Sequence, residues 1–170
     1  MPQQNYALDV AYQSDIAVMD ETKPISMAYG FVLLTGVSAP GNKGLGEKVD
    51  QSIDAGDTVI FSVFDTASSL AQVTSIVITS YDVANPNVPA DPFGWSTPGI
   101  YTLNNPAFGG SGGQSAGCNM KGYGLSTPTF TAQSKGQGKG QKKTYDFTVT
   151  VNLKNGRVFQ VDPEMDVEAG

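Results

Sequence analysis

The first residues that could do chemistry are four carboxylates near the C-terminus. In the segment FQVDPEMDVEAG, every second residue is acidic: Asp162, Glu164, Asp166 and Glu168. On an extended strand such residues share one face and lie roughly 7 Å apart, at a rise of about 3.3 Å per residue. That row could be the solvated face of a strand, a weak cation contact or part of a glycosidase pair, which needs two carboxyls roughly 5–9.5 Å apart across a cleft. Calcium ligands converge on one ion from a curled loop, so we favour the solvated face and predict no metal site.

Residue sets for other kinds of catalysis are missing from the chain. It contains no histidine, which removes the commonest general base and zinc ligand, the Ser-His-Asp arrangement and a blue-copper site. Its one cysteine, Cys118, can form no internal disulfide and has no histidine to hold it as a thiolate. The Gly-rich segments GNKGLGE and GGSGGQSAG lack the strand and helix context of nucleotide-binding loops. We therefore predict no catalytic residues, no cofactor and no enzymatic activity.

Composition limits the partners and the location of the protein. A length of 170 residues suits a single domain spanning residues 1–170. The net charge of −6 repels phosphate groups, so we expect neither nucleic acid nor a membrane as partner. The N-terminal segment lacks the basic start and apolar run of a signal peptide, and the longest apolar runs are too short to span a bilayer. These features predict a cytoplasmic protein.

The hydrophobic pattern predicts an all-β fold. Most windows alternate apolar and polar residues, and 20 Gly and 10 Pro interrupt them too often for long helices. Segments such as YALDVAY, DTVIFSVFD, VTSIVITSYDV and TYDFTVTVNL read as strands between turns. We predict an antiparallel β-sandwich with Greek-key connections, immunoglobulin-like or jelly-roll-like, with at most one short helix.

The segment LKNGRVF predicts a hairpin, because Asn-Gly is a strong turn signal. A two-residue loop would pair Val151 with Gln160 and so place a polar residue against an apolar one. A three-residue loop over 154–156, with Gly156 left-handed, pairs Val151 with Phe159 and keeps the apolar residues on one face. We predict the three-residue loop, with the valines and Met165 of the acidic tail completing the core.

A long excursion at about residues 85–128 interrupts the strands. It is rich in Pro and Gly, yet carries more aromatic residues than a disordered tract would, and GIYTL within it predicts a short strand. Exposed aromatic rings there could stack on sugars beside hydroxyl-binding polar groups, or form an assembly surface; alternatively, the rings pin the loop to the core. The candidate surface consists of Asp91, Trp95, Tyr101, Asn104, Asn105 and Tyr123.

Several stretches together resemble a known family. They are YGFVLLTG, GNKGLGEKVDQSIDAGDTVIF, TYDFTVTVNLKNGRVF and VDPEMDVE. The layout resembles the AidA/PixA-like family of bacterial inclusion-body proteins, with matching positions at 56–58 (Gly-Asp-Thr) and 162–163 (Asp-Pro). The DP-EP family of immunoglobulin-like sandwiches, which also ends on an Asp-Pro strand, is a weaker candidate.

The first resemblance implies a bacterial, cytoplasmic, non-enzymatic β-sandwich that self-associates into homo-oligomers or inclusions. Some members look like sugar-binding proteins, so a carbohydrate-binding module is the alternative function. A histidine-free glycosidase is the third.

Overall fold

The computed structural model describes residues 3–12, 30–36, 51–65, 73–105, 124–154, 156 and 158–170. Within these ranges there are strands but no helix, and no segment forms a helix able to cross a membrane. The strands are β1 (Asn5–Tyr12), β2 (Gly30–Gly36), β3 (Gln51–Asp54), β4 (Thr58–Asp65), β5 (Val73–Asp82), β6 (Ile100–Asn104), β7 (Gly124–Ser126), β8 (Phe130–Thr131), β9 (Lys142–Leu153), β10 (Val158–Val161) and β11 (Glu164–Glu168).

These strands form two sheets. Sheet A has the order β2-β1-β4-β7, with β8 also pairing with β4. Sheet B has the order β3-β11-β9-β5-β6, with β10 also pairing with β9. Two pairings, β1 with β4 and β3 with β11, are parallel, so the sheets are mixed rather than purely antiparallel. Tight hairpins impose antiparallel pairing only on strands adjacent in sequence, and neither of these two pairs is adjacent.

The core lies between the two sheets. Phe61 of β4 and Phe147 of β9 meet across it with ring centroids 5.7 Å apart, and both side chains are fully buried. Along β9 every second residue from Tyr145 to Leu153 is buried, while the intervening residues are half-buried. The all-β sandwich predicted from the alternating pattern is confirmed.

The hairpin between β9 and β10 has the predicted register. Phe159 pairs with Val151 and Val161 pairs with Val149, which is the register that the three-residue loop predicts. Gly156 has φ +87° and donates its N–H to the Leu153 carbonyl at 3.0 Å. Since a one-residue slip would turn every apolar side chain outward, the buried face determines this register.

The acidic tail consists of two strands separated by Asp162 and Pro163. Proline has no N–H to donate, and the Pro163 carbonyl accepts the Phe147 N–H at 2.8 Å. Beyond this interruption β11 lies between β9 and β3, with Met165 and Val167 buried. The tail therefore completes the core, as its pattern predicts.

The excursion includes the strand predicted near GIYTL, which is β6. Two further short strands that were not predicted pair with β4: β7 near the end of the excursion and β8 just beyond it. Their few residues are too short a window for a period of two to be recognised. The part of the excursion at 106–123 lies outside the described residues.

Candidate functional site

The tail carboxylates lie on the outer face of sheet B, where two of them contact threonines of β9. Thr148 donates its hydroxyl to Asp162 at 2.8 Å, and Thr144 donates to Asp166 at 2.6 Å. All four acidic side chains are half-buried. In the described part of the chain, no group of three or more His, Cys, Asp or Glu side chains is arranged to hold a metal ion.

A cleft of about 700 Å³ lies where the β3–β4 turn meets the end of β11, and it contains further carboxylates. Asp57 there is 4% exposed and accepts the backbone N–H groups of Gln4 at 2.8 Å and Asp54 at 2.9 Å. Asp54 and Glu168 also line the cleft, where they are cross-strand neighbours of sheet B.

Asp91, a predicted ligand-binding residue, organises the turn that precedes β6. One carboxylate oxygen accepts the N–H of Phe93 at 2.9 Å and of Trp95 at 3.1 Å, and the other accepts the N–H of Gly99 at 2.9 Å. The side chain is 6% exposed. Because its oxygens are turned inward to these amides, Asp91 holds the backbone in place and offers no open acceptor to a sugar hydroxyl.

Trp95 is held against the core by this turn. Its ring lies 5.6 Å from Phe93, 5.6 Å from Tyr101 and 5.5 Å from Phe130, measured between centroids. The residue is 8% exposed, so the expectation that Trp95 presents an open ring face is wrong. Its indole Nε1 is buried without a hydrogen-bond partner in the described structure. The aromatic residues here pin the loop to the core, which was the alternative interpretation.

The other predicted site residues divide between two places. Tyr101 is half-buried beside Trp95, and burial raises the pKa of its hydroxyl. Asn104 and Asn105 lie at the far end of β6, where the Asn105 side chain donates to the Val73 carbonyl at 2.8 Å. Tyr123 lies outside the described residues. The structure therefore groups Asp91, Trp95 and Tyr101, and separates both asparagines from them.

A buried polar cluster near the end of β5 was missed by sequence reasoning. Asp82 is 9% exposed, accepts the Ala84 N–H at 2.9 Å and lies 3.5 Å from the Lys143 ammonium. Burial, followed by the negative charges of Asp82 and Asp91, raises the pKa of Tyr145 to about 12. Asp82 lies an even number of residues from the buried Ile76 and Ile78 on β5, so its side chain faces the same side of the sheet. That alternation was the available signal that Asp82 is buried.

Exposed apolar side chains occur at the same end of sheet B. Among the described residues the large exposed hydrophobic side chains are Val83, Val88 and Ile100, which are 43%, 52% and 38% exposed. A Cβ on Gly99 would lie 2.8 Å from both the Ala90 nitrogen and the Pro89 Cβ, so the start of β6 packs tightly beside the loop that carries Val88. We call the strand β6 together with Val88 the β6 edge.

The β6 edge also lacks charge. From Pro92 to Met120 the sequence contains no Asp, Glu, Lys or Arg. Natural sheet edges are commonly blunted by charged side chains, which prevent another strand from pairing there. The described residues of the β6 edge are therefore uncharged and partly apolar.

The fold places the protein among all-β proteins of two packed sheets. No family model matches the chain, and no curated protein matches it. Among solved structures, the chain is similar to the inclusion body protein PixA of Burkholderia cenocepacia J2315, with a TM-score of 0.43 and 11% identity. The alignment covers 100% of this chain and 98% of that one. This neighbour carries the name of the family that the sequence resembles, and a similarity of this size assigns no function to any residue.

Proposed function

We propose that the protein is a non-enzymatic β-sandwich that self-associates. The observation that carries this proposal is the β6 edge, an uncharged and partly apolar surface on a chain of net charge −6. Two copies with that net charge repel each other in general, so they can approach closely only where the surface is uncharged.

The acidic groups with the deepest burial support a structural role. Asp57 and Asp91 accept backbone N–H groups, and Asp82 combines a backbone N–H with the Lys143 ammonium. A catalytic acid or base must instead lie within hydrogen-bond reach of a substrate proton. These three carboxylates turn toward the protein's own backbone.

The exposed apolar groups supply a modest driving force. Full burial of a Val or Ile side chain contributes about 1.5–3 kcal/mol, and Val88 and Ile100 are each only partly exposed. Part of that gain is offset by the lost freedom of two copies on association. We therefore expect reversible association that depends on protein concentration.

Carbohydrate binding is the alternative function that the sequence offered. It relied on open aromatic faces, whereas the Trp95 ring packs against Phe93, Tyr101 and Phe130. No contact in the described structure favours it over self-association. A cytoplasmic location, which the family resemblance implies, is part of the same proposal.

Sedimentation velocity over two orders of magnitude in protein concentration tests the proposal. The mean sedimentation coefficient should rise with concentration, and added salt should strengthen the association, because salt screens the repulsion between acidic copies. A monomer at every concentration and salt level would refute self-association. Trp95 is the only tryptophan, so a change of its fluorescence on addition of oligosaccharides would favour the alternative.

A further inference from the structure

We infer that β6 is the interface, and that it pairs antiparallel with β6 of a second copy about a two-fold axis at Thr102. The inference rests on the proposed function, since it names the surface through which the protein self-associates. It is carried by backbone geometry and by the distribution of charge around the edge.

The backbone of Thr102 faces away from sheet B. Ser80 donates its N–H to the Gly99 carbonyl at 2.8 Å, and Asn105 donates to the Thr74 carbonyl at 2.9 Å. In an antiparallel ladder such hydrogen-bonded positions recur at every second residue. The register of β5 and β6 thus assigns Tyr101 and Leu103 to the bonds with β5. Thr102, which lies between them, directs both its N–H and its carbonyl outward.

At Ile100, the backbone N–H on the side away from β5 already has a partner within the chain. Ile100 donates its N–H to the Thr97 carbonyl at 3.2 Å, which closes the turn before β6. Thr102 is therefore the natural centre of a pairing with another strand. Two copies of Thr102 facing each other across a two-fold axis satisfy both N–H groups and both carbonyls, because antiparallel residues in a hydrogen-bonded pair exchange two bonds.

Charge selects a second copy as the occupant. The other edge of sheet B, at β3, carries Asp54 beside Glu168, so an identical acidic chain is repelled there. At β6 the strand and the turn that precedes it are uncharged from Pro92 to Asn105. A cationic partner gains no attraction from this edge. Two acidic copies of the chain, in contrast, can meet there without bringing carboxylates of one copy against those of the other.

The size of the contact is consistent with weak, reversible pairing. β6 has five residues, and an edge of that length falls at the low end of interface sizes. The neighbouring Val88 adds exposed apolar surface beside the strand. The expected product is a dimer in exchange with monomer.

A cross-linking experiment tests the two-fold axis. Cys118 is the only cysteine, so Cys118→Ser provides a background into which one new thiol can be placed. In a hydrogen-bonded antiparallel pair the Cα atoms lie about 5.5 Å apart, which suits a disulfide. Thr102→Cys should therefore form a covalent dimer under mild oxidation. Thr79→Cys, also exposed but on β5, is the matched control and should stay monomeric on a non-reducing gel.

A charge-insertion pair tests the same surface without oxidation. Thr102→Lys places two ammonium groups next to each other at the axis, and we expect the dimerisation Kd to rise at least tenfold by sedimentation. Thr79→Lys introduces the same charge one strand further in, and its Kd should stay within twofold of the wild-type value. Thermal melts of both variants establish that the fold is kept.

The outcomes separate the interface from the proposed function. If the wild type associates but Thr102→Cys cross-links no better than Thr79→Cys and Thr102→Lys leaves Kd unchanged, the β6 interface is wrong and self-association stands. If the wild type is monomeric throughout, the proposed function fails first. A Thr102 amide protected from hydrogen exchange in dilute monomer also overturns the inference, since the edge is then covered within one copy.

Discussion

The two edges of sheet B are built with the same local device. At the β3 edge the turn into β4 is held by the buried Asp57, and at the β6 edge the preceding turn is held by the buried Asp91. Each turn also contains a glycine in the left-handed region, Gly56 with φ +103° and Gly99 with φ +73°. Such angles favour glycine because a Cβ clashes with the backbone there.

The edges differ in what surrounds these turns. At β3 a Cβ on Gly56 would meet nothing within 4 Å, and the surface carries the carboxylates of Asp54 and Glu168. At β6 a Cβ on Gly99 would lie 2.7 Å from the Ser80 carbonyl oxygen, and the surface is uncharged. Charge thus disfavours strand pairing at the β3 edge, whereas the described residues of the β6 edge carry no charge that would do so.

Removing the two aspartates should produce the largest effects. Asp91→Ala loses three hydrogen bonds from buried N–H groups, and we expect a loss of about 4 kcal/mol in the free energy of unfolding, against about 3 kcal/mol for Asp57→Ala. Urea denaturation measures both. Only Asp91→Ala should shift the native emission of Trp95 to the red, because only that turn carries the ring. A red shift in Asp57→Ala would contradict the independence of the two edges.

The two glycines provide the next test. Gly99→Ala forces an alanine into the left-handed backbone region and places its Cβ against backbone atoms. We expect a loss of about 3 kcal/mol in the free energy of unfolding. Gly56→Ala meets open space and should cost only the conformational term, about 1 kcal/mol. Equal losses in thermal or urea unfolding would show that the β6 turn is not tightly packed.

Alkaline pH probes two buried tyrosines separately, Tyr145 in sheet B and Tyr6 in sheet A. Burial and then the charges of Asp82 and Asp91 raise the pKa of Tyr145 to about 12, while burial and then Asp57 and Asp54 raise the pKa of Tyr6. A tyrosine with a raised folded-state pKa keeps its full contribution to stability below the unfolded value near 10. That contribution is lost as the pH rises through the folded pKa.

Between about pH 10 and 12 the protein should therefore lose on the order of 2 kcal/mol of stability through Tyr145. Tyr145→Phe should flatten this part of the stability curve measured by urea unfolding, and Tyr6→Phe should flatten it less. If Tyr6→Phe has the larger effect, the surroundings of Tyr6 raise its pKa more than those of Tyr145 do.

The smallest expected effect lies between the edges, on the outer face of β9. Thr148→Val removes the hydroxyl that donates to Asp162 at 2.8 Å and should cost about 1 kcal/mol in the free energy of unfolding. Thr150→Val loses only a 3.4 Å contact with Gln160 and should be nearly neutral. Because valine favours strands, a net gain in both variants would indicate that these threonines serve the surface rather than stability.

Much of the fold followed from local pattern. The period of two along Tyr145 to Leu153 identified the inward face, and that face together with Gly156 identified the hairpin register, which is confirmed. The strand β6 was also predicted from GIYTL. These features depend only on residues close in sequence, because successive side chains on a strand point to opposite faces of the sheet.

The candidate surface was predictable only in part. Of the six predicted residues the structure brings Asp91, Trp95 and Tyr101 together, yet the sequence could not say that the Trp95 ring would lie against Phe130, or that Asp91 would bind backbone amides. The burial of Asp82 was not predicted, although its position on β5 puts its side chain on the same face as the buried residues of that strand. Burial of a loop residue depends on what packs over it, and that partner can come from a distant part of the chain.

The sequence by itself determined the all-β class, the hairpin, the core face of the acidic tail and the absence of histidine chemistry. Each of these depends on composition or on the two-residue period of a strand. Only the tertiary structure decided that β1 runs parallel to β4, that β3 and β6 end the path of sheet B within the described residues, and that Trp95 faces inward. These outcomes depend on contacts between residues remote in sequence, where no local period records which strand becomes a neighbour.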